Sequence, residues 1–180
     1  MPEQPDETPL PEKSFIFYID VFSYCNLRCP SCLVGAHYGA LSEWPRGLMS
    51  SGVLGRILDK ALRECRIEAV GLYNWTEPLL HPEIAALVRA VKSRGLVCSL
   101  SSNLNLLREP EALLAAHPDY LRVSVSGFTQ EIYARGHREG DIEQVKHNMQ
   151  GSPRRTAPSG QTRMSRSTTT ATPTIRTSCR

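Results

Sequence analysis

The sequence has no apolar run approaching the roughly 20 residues that cross a bilayer as a helix, so no membrane partner is expected. Its N-terminus, MPEQPDETPLPEK, has neither the basic start nor the apolar stretch of a secretory signal. A cytoplasmic location is therefore expected. Thiols are kept reduced in that compartment, which argues against a disulfide framework for the six cysteines. Residues 152–180 lack Asp, Glu and Lys altogether but hold six Arg. The formal charge of +3 is therefore misleading, because residues 1–151 set the other 15 basic groups against all 18 acidic ones, a net of −3. With no basic excess on the body, no nucleic-acid partner is expected.

What is present divides into three parts. Residues 1–13 are acidic and proline-rich and read as a disordered leader. Residues 14–150 read as one α/β domain. Residues 151–180 form a basic tail. From 152 onwards the tail has eight Thr, five Ser and a single branched aliphatic, Ile175, too little to bury a core. The composition changes abruptly where a helix should hand on to a fifth strand. Arg/Thr/Ser/Pro-rich text is common when GC-rich DNA is read out of frame. A frame disruption after about residue 150 is expected in preference to a natural flexible tail.

Within the domain, SFIFYIDVF (14–22) is a near-continuous apolar run, the pattern of a strand buried on both faces. Val53, Leu54, Ile57, Leu58 and Leu62 share one helical face, and Ile84, Leu87, Val88 and Val91 make a second stripe ending near Gly95. Strands are predicted over 67–73, 96–101 and 120–126, and helices over 109–117, 129–135 and 141–149. Repeated βα units predict a parallel sheet with right-handed crossovers. Ligands then bind at the C-terminal ends of the strands. The segments following the four strands would meet there: the cysteine loop, NWTEP (74–78), SSN (101–103) and SG (126–127).

The cysteine loop, YCNLRCPSC (24–32), holds Cys25, Cys29 and Cys32 in a C-x3-C-x2-C pattern. An odd number of thiols in a reducing compartment does not suit disulfides. A tetrahedral Cys3His zinc site completed by His37 would fit a non-catalytic interaction module. A [4Fe–4S] cluster held by three thiolates, with one iron left open, is the other reading. The scattered Cys65 and Cys98 are expected to pack in the core, and Trp44 and Trp75 likewise.

In this setting CNLRCPSC resembles the cluster loop of the radical S-adenosylmethionine (SAM) superfamily. NWTEPLLHPE (74–83) is similar to that family's second motif, commonly GGEPLLHPE. SSN at 101–103 is similar to its S/T-N-G, and SVSG at 124–127 to its S-x-D-G. The resemblance covers about residues 14–150. It implies a partial TIM-type (β/α) barrel, here with four βα units of the usual six. It also implies that Cys25, Cys29 and Cys32 ligate the cluster, whose open iron binds SAM. Reduction would then cleave SAM to a 5′-deoxyadenosyl radical that abstracts hydrogen from an unknown substrate. A flavodoxin or ferredoxin would donate the electron. Glu77 would meet the SAM amino group, with Ser101, Asn103 and Ser124 as further SAM contacts. No residue of the chain is given a catalytic role of its own. His137 and Arg138 are candidates for the SAM carboxylate, and His81 is expected to shape its loop.

Four positions depart from the family pattern. Ser31 replaces an aromatic residue, Leu104 a glycine and Ser126 an acid. Thr76 stands where glycine is usual, and its β-branch is expected to crowd a closely bound SAM. No second cysteine cluster follows, so no auxiliary cluster is expected. With the last two strands missing, the alternative is an inactive truncated fragment whose fourth strand has an open edge.

Overall fold

A computed structural model describes residues 13–37 and 47–151. The expected tail and nearly all of the expected leader, together with Trp44, lie outside them. The elements run β1 (Ser14–Tyr18), α1 (Leu33–Ala36), α2 (Ser51–Glu64), β2 (Arg66–Gly71), α3 (Ile84–Lys92), β3 (Val97–Ser102), α4 (Pro110–Ala115), β4 (Tyr120–Val123), α5 (Gln130–Gly136) and α6 (Ile142–Gly151). The β1-β2-β3-β4 sheet is parallel throughout. This is the α/β class and the four βα units read from the sequence.

Local signals set the helix ends. The Ser50 side chain accepts from the Val53 N–H at 3.3 Å and opens α2. Pro110 occupies the first turn of α4, where its missing N–H costs nothing. Gly95, at φ +70°, reverses the chain after α3.

One face of the sheet carries the core. Val70 and Cys98 are fully buried and Leu100 nearly so, against Leu54 and Leu58 of α2 and Leu87, Val88 and Val91 of α3. Each such aliphatic contributes about 1.5–3 kcal/mol. Val53 and Ile57 do not join this face of α2. They stand outward, 37% and 40% exposed, so the buried stripe of α2 is narrower than the sequence predicts.

The prediction of a first strand buried on both faces is also corrected. β1 is a short edge strand, with Phe15, Ile16 and Tyr18 45–54% exposed. Tyr18 pairs with Gly71, Gly71 with Ser99 and Ser99 with Tyr120, so these four share the second face. Tyr73 packs edge-on against the Tyr18 ring there, while Tyr18 and Tyr120 remain half-exposed on that face. The aromatic run that reads as doubly buried is thus half-exposed along the sheet edge. β4 is the opposite edge.

Leu104, which stands where the family has glycine, adopts the left-handed φ of +53° while 1% exposed. A non-glycine residue there bears about 1–2 kcal/mol of steric cost. The buried side chain more than repays it. Leu104→Ala keeps the cost and loses the burial, and is expected to destabilise by about 2–5 kcal/mol. Leu104→Gly loses the same burial but sheds the strain, so it should be the milder change, by about 1 kcal/mol. Urea melts of the two variants check this order, and an alanine variant as stable as the glycine one would contradict it.

Candidate functional site

The C-terminal ends of β1, β2 and β3 send their loops to one point. Glu77 ties them together. Its backbone N–H donates to the Tyr24 carbonyl at 3.1 Å, reaching the cysteine loop. Its carboxylate is 4% exposed. One oxygen accepts from the Leu79 N–H at 3.0 Å and the other from the Asn103 N–H at 2.8 Å, after β3. Burial pushes the carboxyl up, and the Asn103, Leu79 and Ser102 donors pull it back. Two N–H groups aimed at both oxygens suit the ionised form.

The three clustered cysteines are free and partly buried. The Leu27 N–H points at Cys25 Sγ at 3.5 Å, and Asn103 Nδ2 lies 3.9 Å from the same sulfur. Burial pushes the Cys25 thiol up to about 11 and also raises Cys29. The Cys32 thiol faces the Trp75 carbonyl at 3.6 Å. Arg28 shapes the loop: its Nη1 donates to the Cys25 and Leu27 carbonyls at 3.0 and 3.1 Å. The Arg28 N–H donates to the Arg138 carbonyl at 3.0 Å, drawing in the α5–α6 connection. Gly35 of α1 packs so tightly on the loop that a Cβ there would sit 2.5 Å from Cys29 N and O.

Which group could this loop hold? Thiolates are soft donors suited to zinc or iron–sulfur clusters. Among the described residues no three of His, Cys, Asp and Glu are gathered closely enough for a single ion. That holds for the three cysteines both with and without His37. Three thiols on one short loop are a donor set that suits a four-iron cluster, which spreads its thiolates further apart.

Asn103 is buried, and its Nδ2 donates to Asn26 Oδ1 at 2.9 Å, so it stands beside the cysteine loop. Ser101 is half-buried in β3, one residue from buried Ser102 and hence on the opposite face. Ser124 follows β4, its N–H donating to the Ser102 carbonyl at 2.9 Å. His137 is engaged elsewhere. It stacks on Tyr133 at 4.7 Å, and its Nδ1 is 2.7 Å from the Ser126 hydroxyl. Arg138 contributes its backbone carbonyl. Trp75 is 44% exposed and is not the packing residue expected. Cys98 is in the core, its thiol pushed up to about 12 by burial. Cys65 is only partly buried and donates to the Ala61 carbonyl at the end of α2.

Three residues that organise the site were missed by sequence reasoning. Arg28 and Ser102 act on backbone groups or through a buried partner, which no spacing rule reveals. Asp20 gathers the loop after β2, with Oδ1 accepting from the N–H groups of Asn74, Trp75 and Thr76 at 3.0–3.1 Å. Its one sequence signal is an acid at the end of an apolar strand.

Comparison with known proteins agrees with this arrangement. The family model described as the radical SAM superfamily matches residues 19–152, more than half the chain. The chain belongs to the radical SAM superfamily, whose members normally bind a [4Fe–4S] cluster and SAM. It is 30% identical over 124 residues to the tungsten-containing aldehyde ferredoxin oxidoreductase cofactor-modifying protein of Pyrococcus furiosus, covering 67% of this chain and 33% of that protein. It is 29% identical over 130 residues to GTP 3′,8-cyclase of Chlorobaculum tepidum, covering 71% and 37%. The chain thus spans about a third of the length of these relatives. Among solved structures, Streptococcus suis SuiB bound to S-adenosylmethionine shares the fold, with a TM-score of 0.57 at 14% identity over 74% of this chain and 30% of that one.

His81 is 2% exposed, with Nδ1 accepting from the Glu83 N–H at 3.0 Å and Nε2 3.1 Å from the Met49 carbonyl. It shapes the loop, as expected. Burial lowers its pKa below the ordinary 6.5. A lowered histidine favours the folded state above 6.5, and that contribution fades as pH falls from 6.5 through the folded value. The stability gap between wild type and His81→Gln should therefore narrow as pH falls from 7.5 to 5.5. Comparing two variants at each pH cancels the opposite slope from the raised Glu77. A gap unchanged in paired urea melts would contradict the assignment.

Proposed function

We propose that this chain is the cluster-binding part of a radical SAM enzyme. Cys25, Cys29 and Cys32 hold a [4Fe–4S] cluster, and SAM binds beside it within reach of Glu77, Ser101, Asn103 and Ser124. The observation that carries this reading is the convergence of the loops: three free thiols on one short loop, with Asn103 against Cys25 and the Glu77 backbone joined to Tyr24. When bound and reduced, the cluster would supply the electron that cleaves SAM to a 5′-deoxyadenosyl radical for hydrogen abstraction.

The chain's own residues bind and orient. The N–H of Leu27 and the amide of Asn103 point at Cys25 sulfur, and such donors stabilise a thiolate. The Arg28 guanidinium holds the loop by its carbonyls, leaving the thiols free. The Glu77 carboxylate has about four lone-pair sites, of which the Leu79 and Asn103 N–H groups and the Ser102 side chain take three, leaving capacity for an ammonium. Ser101 near the end of β3 and Ser124 just after β4 offer hydroxyls for polar atoms of SAM. The substrate is unknown, and its contacts and chemistry belong to the whole protein. A flavodoxin or ferredoxin as reductant and a cytoplasmic location complete the reading. Among the described residues no helix is long and apolar enough to cross a membrane.

Anaerobic reconstitution with iron and sulfide, followed by reduction and EPR with and without SAM, tests the proposal. The expected result is a brown protein whose [4Fe–4S]+ signal shifts when SAM is added, with Cys29→Ala losing most of the bound iron. A colourless zinc protein, or full iron in Cys29→Ala, would contradict the ligand set.

A further inference from the structure

The Asp20 carboxylate lies just beyond β1 and fills a nest of successive backbone N–H groups. Oδ1 accepts from Asn74 at 3.0 Å, Trp75 at 3.1 Å and Thr76 at 3.1 Å, and Oδ2 from Trp75 at 3.2 Å. Such nests bind anions, and here the anion is the protein's own. None of the six ion pairs among the described residues uses Asp20.

The consequence lies in one peptide unit. The Thr76 N–H and the Trp75 carbonyl belong to the same planar peptide, and no peptide among the described residues is cis. The two groups therefore point in opposite directions. With the N–H on Asp20, the carbonyl is sent towards the cysteine loop, where it meets Cys32 Sγ at 3.6 Å. A thiol is a weak donor, so this oxygen remains a good acceptor facing the proposed cluster.

Thr76 takes part directly. Its hydroxyl donates to Asp20 Oδ1 at 2.7 Å. The hydroxyl arm of the β-branch is thereby held on Asp20.

We propose that Asp20 and Thr76 are a positioning pair that fixes the Trp75 carbonyl over the cysteine loop and thereby sets the affinity for the ammonium group of SAM. The pair takes the place of the flexible glycine turn usual at this point. The inference depends on the SAM-binding reading above.

The test uses the full chain, reconstituted anaerobically. Iron and sulfide are counted, and SAM is titrated against the EPR signal of the reduced cluster. Asp20→Ala should keep its iron and sulfide but raise the SAM Kd about tenfold, the scale of one lost hydrogen bond. Asp20→Asn, which keeps an acceptor oxygen, should restore part of the affinity. Thr76→Val, which keeps the shape and loses the hydroxyl, should raise Kd about two- to fivefold, and both variants carry the test if Asp20→Ala does not fold. Wild-type SAM affinity in cluster-loaded variants overturns the positioning role alone. Cluster loss in step with SAM binding in all three would make the pair a support of the cysteine loop, and overturns it too. A wild-type cluster blind to SAM overturns both this inference and the reading beneath it.

Discussion

The site depends on one buried carboxylate. Glu77 leaves β2, reaches the first residue after β3 and turns its own N–H to the loop after β1. Parallel strands need long crossovers, so their ends are not held by hairpins. Something must fasten the loops at the C-terminal rim. A desolvated carboxylate is costly unless its oxygens are satisfied, and Glu77 is satisfied only when the loops after β2 and β3 are in place together. The cost of burying the charge thus enforces the convergence that a cofactor site requires.

Around this fastener the other polar residues divide the labour. Asp20 holds the loop after β2 from the β1 side. Arg28 holds the cysteine loop by its carbonyls and brings in the α5–α6 connection. Asn103 joins both through Asn26 and Asn105. No buried side-chain polar atom among the described residues lacks a partner, so the rim is a connected network without isolated buried groups. Such networks specify one arrangement more strongly than apolar packing does. The three clustered cysteines sit at its edge, only partly buried.

The order of strands and helices was legible because it depends on local periodicity, and Leu87, Val88 and Val91 of the α3 stripe are buried as read, with Ile84 only partly so. The exposure of β1 was not legible. Phe15, Ile16 and Tyr18 carry the same composition whether or not a second layer covers them. Val53 and Ile57 misled for a related reason, since periodicity marks an apolar face without fixing how much of it finds a partner. At the site, the cysteines stood out through their spacing after the first strand, and Glu77 through the likeness of NWTEPLLHPE to the family's second motif. Asp20 and Arg28 did not, because their targets are backbone groups and, for Asp20, lie 54–56 residues away. The departures from the family pattern had physical answers: Leu104 takes the glycine conformation and buries its side chain, and Thr76 turns to Asp20.

The central claim is that SAM binds directly to the open iron of a cluster held by Cys25, Cys29 and Cys32. The most direct measurement is pulsed ENDOR on the reduced, reconstituted chain with SAM labelled by 15N at the amino group and 17O at the carboxylate. The account predicts hyperfine couplings from both labels to the cluster. A well-formed [4Fe–4S]+ cluster with neither coupling, under conditions where SAM is bound, would contradict it.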